Sequence, residues 1–214
     1  MLDRLDFEVR PGEVMAIVGP SGAGKSTLVR ALLGIWSDTE GEISIDNVRI
    51  ETWDRENLGG FFGYLPQNVE LFDAKVSENI ARMGEVDADA VVEASKKAGL
   101  HDIILRLPQG YDTPLGEQGG VLSGGQRQRL GLARALYGNP RIVVLDEPNA
   151  NLDDAGEAAL SQAIGQLKEA GCTVVMVLHQ RNLLSRADTI MAIDQGRIVF
   201  RGSPAELAAL RKPG

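Results

Sequence analysis

The sequence GPSGAGKST, residues 19–27, decides the fold of this chain. A short apolar run, Val14–Val18, precedes it, and a helical pattern follows over residues 26–33. Glycines let a backbone curl around an anion, so that successive N–H groups and the start of a helix face phosphate. The stretch matches G-x-x-x-x-G-K-[ST] in the required setting between a strand and a helix. It therefore predicts a phosphate-binding loop for a nucleotide.

Two side chains of this loop have expected chemical roles. Lys25 is expected to contact the β and γ phosphates of the nucleotide, and Ser26 is expected to bind Mg²⁺. The alternative is a glycine-rich turn at a helix start, which the strand and the helix on either side make the weaker explanation. The residues predicted to bind ATP here are Gly19, Pro20, Ser21, Gly22, Ala23, Gly24, Lys25, Ser26 and Thr27.

A second apolar run, residues 142–145, ends in the two carboxylates Asp146 and Glu147. Ionised carboxylates tolerate the end of a buried strand only where cations or hydrogen-bond donors meet them. Asp146 is therefore predicted to help hold Mg²⁺, and Glu147 to act as the base or water-orienting group of phosphoryl transfer. A solvated acidic strand end would be the ordinary explanation in isolation, but the phosphate loop in the same chain disfavours it.

The stretch LSGGQRQRL, residues 122–130, places two glycines at the start of a helical pattern. If Ser123 caps a helix that begins near Gly124, the free N–H groups of the first turn form a second anion site. One phosphate loop already serves one nucleotide, so the second site is predicted to contact the γ-phosphate of a nucleotide held by another copy. Such reciprocity implies a two-fold dimer. A flexible entry to the helix remains the alternative.

The remaining pattern predicts an α/β fold with a helical insertion. Leu5, Phe7 and Val9 alternate with charged residues, which predicts a half-buried strand ending at the Pro11-Gly12 turn. Strands alternate with helices at both ends of the chain, which indicates a mostly parallel sheet covered by helices. Further predicted strands lie at 43–50, 142–145, 173–178, 190–193 and 198–200, and helices at 88–98, 101–105, 126–136, 156–169 and from residue 203.

Composition limits the classes of protein that fit. The length of 214 residues suits one globular domain, and no apolar run approaches the roughly 20 residues that cross a bilayer, so a soluble chain is expected. The net charge of −8 argues against a nucleic-acid partner, because phosphate backbones are bound by clustered basic residues. The single cysteine, Cys172, cannot form an internal disulfide, which favours a reducing cytosol.

Three motifs in this order carry a family resemblance: residues 19–27 (Walker A), LSGGQ at 122–126 and VVLDEP at 143–148. Together they resemble the nucleotide-binding domain of an ABC transporter, over essentially the whole chain. The resemblance implies a P-loop NTPase (RecA-like) core with a mostly parallel sheet, an antiparallel β subdomain and an inserted α-helical subdomain. Residues 1–75 and 138–214 would form the core with the β subdomain, and residues 76–137 the helical signature subdomain.

The same resemblance assigns roles to single residues. Gln67 in YLPQ resembles the Q-loop glutamine, which contacts nucleotide and Mg²⁺, so the implied metal set is Ser26, Gln67 and Asp146. His179 resembles the switch histidine at the γ-phosphate and joins Glu147 as a catalytic residue. The residues expected to act on the nucleotide of the other copy are Ser123, Gly124, Gly125, Gln126 and the D-loop aspartate, Asp153.

Other stretches resemble the exporter branch of this family. Residues 67–80 match the pattern after the Q-loop, and LGEQGG, residues 115–120, contains Glu117, which would meet the membrane domain. WDRENLGGFFGYLPQNVELF and EPNANLD are similar to the type I secretion ATPases of Gram-negative bacteria, although residues 41–72 would also suit a peptide or lipid exporter. The implied location is the cytoplasmic side of the inner membrane. The implied partners are an N-terminal transmembrane domain and, through it, a periplasmic adaptor.

The chain departs from the family pattern at its start and after the switch histidine. No aromatic residue precedes Phe7, whose alternation marks it as core, so the family's adenine-stacking ring has no counterpart here. Gln180 follows His179 where arginine is common. Because the membrane helices of such exporters precede the ATPase, an excised domain is the expected explanation.

The predicted function is ATP hydrolysis that couples a cycle of dimer opening to export. One alternative is the ATPase subunit of an importer, made as a separate chain. Another is a module that uses nucleotide only as a dimerisation switch, against which Glu147 argues, because a switch needs no base.

Overall fold

The computed structural model describes residues 2–36, 40–179 and 182–210. Its strands are β1 (Val14–Val18), β2 (Ser44–Ile45), β3 (Val48–Arg49), β4 (Phe62–Leu65), β5 (Ile142–Asp146), β6 (Thr173–Val177), β7 (Thr189–Asp194) and β8 (Arg197–Gly202). Its α-helices are α1 (Lys25–Leu32), α2 (Arg55–Phe61), α3 (Val76–Ile80), α4 (Ala88–Lys97), α5 (His101–Ile104), α6 (Gly124–Leu136), α7 (Asp154–Glu169) and α8 (Pro204–Ala209). Short 3₁₀ turns lie at Ile50–Thr52, Gly110–Asp112, Glu117–Gly119 and Leu184–Arg186.

Within the described residues, the main sheet has six strands in the order β4-β5-β6-β1-β7-β8. All neighbours are parallel apart from the antiparallel pair β7 and β8, so the predicted mostly parallel sheet is confirmed. Val14 and Ala16 of β1 join one buried apolar cluster, and Met15 and Ile17 join another. Successive side chains of a strand point to opposite faces, so the sheet is covered on both sides.

The strand structure predicted at residues 43–50 and the antiparallel β subdomain that the resemblance implies are present as one short antiparallel hairpin. β2 and β3 pair over two residues each, with Ser44 opposite Arg49 and Ile45 opposite Val48. Asp46 and Asn47 form the turn between them with φ values of 51° and 63°. A two-residue hairpin turn with two positive φ values suits Asp and Asn, whose short polar side chains tolerate that conformation.

The prediction of a strand around Leu5, Phe7 and Val9 is wrong, whereas the predicted partial burial of these side chains is confirmed. The structure assigns no strand there, although these three side chains are partly buried while Asp6 and Glu8 between them are exposed. The apolar alternation is satisfied by packing on the core cluster beneath β1. A strand also needs a hydrogen-bonded neighbour, and a periodicity of apolar residues does not reveal whether one exists.

The segment between β4 and β5 is helical, as its sequence predicted, and it carries four helices, α3 to α6, of which α3 was not predicted. The helices expected at 88–98, 101–105 and 126–136 are confirmed as α4, α5 and α6, the last beginning two residues early. Among the described residues of this segment the only strand-like pairing is one bridge between Lys75 and Pro114. α6 packs on α3, α4 and β4, and so connects this helical segment to the sheet.

No pattern in the sequence predicts the edge strand β4. It has four residues and contains Gly63, and glycine is depleted in strands. A Cβ at Gly63 would lie 2.1 Å from the carbonyl oxygen of Ala135 in α6. The glycine that obscures the strand in the sequence is therefore the residue that lets α6 pack against its backbone.

The end of the chain follows the prediction. β7 and β8 form the expected hairpin around Gln195 and Gly196. Ser203 caps α8 through a capping box with Glu206, with Pro204 at the first helical position. None of the helices in the described ranges has the length and apolar character that crossing a membrane demands.

Candidate active site

Four parallel strands bring the predicted site residues to one edge of the sheet. The residues that follow the carboxyl ends of β1, β4, β5 and β6 include Gly19, Gln67, Glu147 and His179, respectively. Parallel strands end at the same edge, so segments far apart in the sequence meet there. In open α/β sheets this edge is where ligands bind. The topology therefore supports one site built from these segments.

Glycines shape the loop between β1 and α1. A Cβ at Gly19 would lie 2.1 Å from the carbonyl oxygen of Ile193 on β7, so only glycine fits. Gly24 stands at the N-cap of α1 with φ of 102°, and no side chain caps this helix. The first-turn N–H groups of a helix have no partner inside the helix. An uncapped helix start beside a curled loop is the arrangement that accepts phosphate.

Lys25 is buried inside this loop. Its side chain is folded back so that Nζ donates to the carbonyl oxygens of Gly19 and Pro20, each at 2.9 Å. Burial lowers the pKa of the Lys25 ammonium, while the charges of Glu147 and Asp146 oppose that effect. The ammonium is held by neutral carbonyl groups in the loop, which keeps its positive charge available to an arriving anion.

Asp146 offers the oxygen chemistry that a magnesium ion needs. Its side chain is 3% exposed, and its Oδ1 has no hydrogen-bond partner although it is buried. Burial raises the pKa of the Asp146 carboxyl, and a hydrogen bond from Ser26 and the charge of Lys25 act in the opposite direction. An unpartnered carboxylate oxygen beside a serine hydroxyl fits Mg²⁺, which takes few protein ligands and completes its shell with substrate phosphates and water.

The described residues contain no group of three or more His, Cys, Asp or Glu side chains that could hold a metal by themselves. Mg²⁺ at Asp146 and Ser26 would therefore depend on the phosphates of a bound nucleotide.

Glu147 and His179 form a close pair. Their Oε1 and Nε2 atoms lie 2.7 Å apart, with the Glu147 side chain 18% exposed and the imidazole 42% exposed. Glu147 has a left-handed backbone with φ of 53°, and its amide donates to the Val177 carbonyl at the end of β6. Both residues were predicted from the sequence to be catalytic, and the structure brings their side chains into contact. Gln180, the departure noted after His179, lies outside the described residues.

The helix start predicted at Ser123 is confirmed. Ser123 and Gln126 form a capping box, with Gln126 N donating to Ser123 Oγ at 3.3 Å and Ser123 N donating to Gln126 Oε1 at 2.9 Å. A Cβ at Gly125 would lie 2.8 Å from the Asn151 carbonyl oxygen of the same chain. A Cβ at Gly124 would meet no atom nearer than 3.7 Å. Packing inside the chain thus requires the second glycine and not the first.

Asp153 has a structural role within its own chain. Its Oδ1 accepts from the Gly156 amide at 2.8 Å, which caps α7 and is the main cause of its lowered pKa. It also pairs with Arg129 of α6, whose other arm donates to the Gly99 carbonyl oxygen at 3.2 Å. Sequence reasoning missed Arg129, although its place three residues after Gln126 put it on the helix that follows LSGGQ.

Gln67 and Glu117 are both exposed, and their segments meet. Gly119, in the 3₁₀ turn that begins at Glu117, packs so closely on Leu71 that a Cβ would lie 2.5 Å from Leu71 Cδ1. Gly119 also has φ of 68°, a conformation that favours glycine. The segment after Gln67 and the loop that holds Glu117 therefore form one continuous surface.

The family model described as "ABC transporter" matches residues 2–150. The chain belongs to the ABC transporter family, and its fold is that of the ATPase domain of that family. The predicted family and fold class are confirmed.

Relatives and a solved structure extend this match. The chain is 48% identical, over 91% of its length, to the type I secretion system ATP-binding protein PrsD of Rhizobium meliloti. It is 41% identical, over 94% of its length, to an ATP-dependent lipid A-core flippase of Saccharophagus degradans. Each alignment covers 34% of the relative, so the chain spans about a third of the length of these curated relatives.

The structure of a bacterial Atm1-family ABC exporter with ATP bound superposes with a TM-score of 0.91 at 38% identity. It covers 99% of this chain and 37% of that one.

Proposed function

We propose that this chain is the ATP-hydrolysing domain of an exporter that secretes protein, in a type I secretion system. The observation that carries the proposal is the 48% identity to PrsD, against 38–43% identity to the lipid A-core flippases over a similar share of the chain. The stretch 53–72 and EPNANLD, which resemble type I secretion ATPases, support the same assignment. An ATPase domain with this function would lie on the cytoplasmic side of the inner membrane.

The site residues divide the work of hydrolysis. The N–H groups of residues 19–27 and the buried Lys25 ammonium hold the phosphates and neutralise their charge. Ser26, Asp146 and Gln67 would hold Mg²⁺, which when bound would offset the charge of the phosphate oxygens. Glu147 orients the attacking water and accepts its proton, and His179, paired with Glu147, contacts the γ-phosphate. Phosphoryl transfer needs little more than this positioning and charge neutralisation.

The second part of the proposal is a two-fold dimer that holds ATP between its chains. Ser123, Gly124, Gly125 and Gln126 would contact the γ-phosphate bound by the partner, together with Asp153. The support is local: α6 starts at an exposed Ser123, and a Cβ at Gly124 would make only ordinary van der Waals contact with Asn151, at 3.7 Å. The nucleotide loop of the same chain is formed by other strands, so this helix start is left for a second copy.

The third part is a membrane-domain contact at Glu117. Exposed Val121 lies four residues after Glu117, and exposed Phe72 follows Leu71, on which Gly119 of the Glu117 loop packs. Exposed large apolar side chains beside a charged rim are typical of a protein contact. The partner would be the transmembrane domain of the exporter, N-terminal in the same polypeptide, and a periplasmic adaptor would be reached only through it.

Lipid export is the second candidate function. The lipid A-core flippase of Aromatoleum aromaticum is 43% identical over 98% of this chain. The hydrolysis residues proposed above would serve either cargo, so within this chain the two candidates would differ at the surface around Glu117 that is proposed to meet the membrane domain.

Two chimaeras separate these candidates. In one, the chain replaces the corresponding third of PrsD, and in the other it replaces the corresponding third of a lipid A-core flippase; secretion and lipid A-core flipping are then measured in cells lacking the native exporter. We expect secretion to be restored at more than half the native rate and flipping to remain near background, with the Glu147→Gln version of each chimaera as the inactive control. Restoration of flipping without secretion would reverse the assignment.

A further inference from the structure

The imidazole of His179 is 42% exposed, and its Nε2 atom pairs with Glu147 Oε1. Much of this side chain is exposed, so its position depends on how the chain is fixed on either side of it. On one side of it in the chain, the buried Leu178 donates its amide to the Ile17 carbonyl oxygen of β1 at 2.9 Å. The position of the imidazole therefore also depends on how the chain is fixed on the other side.

On that side, Asn182 is fastened to α7. Its Nδ2 donates to both carboxylate oxygens of Glu157, each at 2.9 Å. The amide orientation is dictated by chemistry, because a carboxylate only accepts hydrogen bonds and the NH₂ group must therefore face it. The other end of the same amide is also engaged, since Asn182 Oδ1 accepts from the amide of the buried Leu183 at 3.2 Å.

Glu157 is itself held in place by α7. It lies in the first turn of α7, where its amide donates to the Asp153 carbonyl oxygen at 2.9 Å. A negative charge near the start of a helix is stabilised by the helix dipole. Asn182 stands three residues after His179, and three extended residues span at most about 11 Å. A fixed Asn182 thus limits how far the His179 backbone can move from β6.

We propose that Asn182 and Glu157 are positioning residues for ATP hydrolysis: their bidentate pair fixes the chain after His179 and so keeps the imidazole beside Glu147. The proposal rests on the proposed catalytic role of His179. Asn182 and Glu157 act through the histidine and not on the nucleotide.

A neighbouring contact provides a matched control. Arg186 Nε and Ser161 Oγ lie 2.8 Å apart and join the same two segments, one helical turn further along α7. This contact is seven residues beyond His179, with the buried Leu183 between them. Ser161→Ala therefore removes a contact of the same kind between the same two segments without loosening the chain next to the histidine.

The test uses Asn182→Asp, which places a carboxylate against Glu157, and the double variant N182D/E157Q, in which the E157Q amide can donate to the N182D carboxylate. We expect kcat of N182D to fall about tenfold or more, because small misplacements of a reacting group are costly, with KM for ATP unchanged within about twofold. The double variant should recover to within about threefold of the unaltered chain, and S161A should keep its kcat.

A second readout does not depend on turnover. The chain has two histidines, His101 and His179, so their ring signals are simple to follow by NMR, and His179→Ala assigns them. N182D should move the His179 signals and leave those of His101, which contacts Tyr111 in the helical segment. The double variant should return the His179 signals to their original positions.

The outcomes distinguish a failure of this proposal from a failure of the proposed catalytic role of His179. If H179A keeps full turnover, the catalytic role of His179 fails, and the NMR result alone decides whether Asn182 positions it. If H179A loses turnover while folded N182D keeps both its kcat and its His179 signals, the positioning proposal fails by itself. Loss of activity in N182D that the double variant does not recover, with a lowered melting temperature, would indicate a general structural role and would also overturn it.

Discussion

The loop at residues 19–27 and the signature segment at 122–126 are both glycine-rich starts of helices, yet they differ in what the chain itself supplies. α1 begins without a side-chain cap, beside a buried lysine and the unpartnered oxygen of Asp146. α6 begins with a complete capping box on an exposed serine. The first helix start has polar groups that a ligand would satisfy, whereas in the second the Ser123 side chain already caps the Gln126 amide and leaves the first-turn amides of Gly124 and Gly125 without an intrahelical partner.

This difference separates two ways of using a helix start for an anion. The 19–27 loop is curled by three glycines with positive φ, and β7 lies against it at Gly19. The two glycines of the signature segment do not have positive φ. A helix start without such a curled loop has fewer groups to hold a phosphate alone, and it becomes useful when another surface carries the phosphate to it. The comparison therefore favours a site shared between chains.

The largest expected effect is at Glu147. Glu147→Gln keeps the size of the side chain and removes the base, so we expect kcat to fall at least about 100-fold while ATP affinity stays within about threefold. Phosphate release and calorimetric titration with Mg-ATP measure the two quantities. Light scattering should also detect an ATP-dependent dimer of this variant, because trapped ATP stabilises the closed form. Unchanged turnover would remove Glu147 from the hydrolysis centre.

A smaller effect is expected at Asp146, and it tests whether its unpartnered oxygen beside the 19–27 loop serves to bind Mg²⁺. Asp146→Asn removes a buried charge, so we expect the nucleotide-free chain to be more stable by about 1 kcal/mol, or about 2–4 °C in melting temperature. The same variant should bind Mg²⁺ in the presence of ATP about ten- to a hundredfold more weakly. Ser21→Ala in the same loop is the control. A less stable variant with native Mg²⁺ dependence would contradict the assignment.

The smallest expected effect compares the two signature glycines. Gly125→Ala forces a Cβ to within 2.8 Å of the Asn151 oxygen, so we expect a loss of about 1–3 kcal/mol in the free energy of unfolding. Gly124→Ala has room in the single chain and should change that free energy by less than about 0.5 kcal/mol, although it should reduce turnover. Urea denaturation measures both. Equal stabilities for the two variants would mean that Gly125 is not constrained by its own chain.

The sequence predicts well which residues this edge of the sheet brings together, because they lie in short continuous motifs. Asp146 and Glu147 follow a buried strand, and Lys25 follows the glycine loop, so local pattern and strand topology suffice to bring them together. The capping of α6 by Ser123 is likewise a local property. These predictions need no knowledge of distant contacts beyond the rule that parallel strands end at one edge.

The predictions that were missed or wrong depend on distant contacts. The sequence does not reveal β4 because it contains Gly63, which is required by the Ala135 backbone 72 positions away. The residues around Phe7 show strand periodicity without a strand partner. Gly125 is required because the Asn151 backbone oxygen leaves no room for a Cβ, and Asp153 pairs with Arg129. Periodicity reports burial, whereas hydrogen-bond partners and close backbone contacts are set by the tertiary fold.

Complementation tests most directly whether the site is shared between chains. A Lys25→Ala chain and a Gly124→Asp chain should each be inactive alone, the first through its phosphate loop and the second because its carboxylate repels the partner's γ-phosphate. Mixed in equal amounts, half of the dimers carry both chains, and each of these has one intact composite site. We expect single-turnover phosphate release to return to about a quarter of that of the unaltered chain. No release from the mixture, when fluorescence energy transfer between labelled chains confirms that mixed dimers form, would contradict a site shared between two copies.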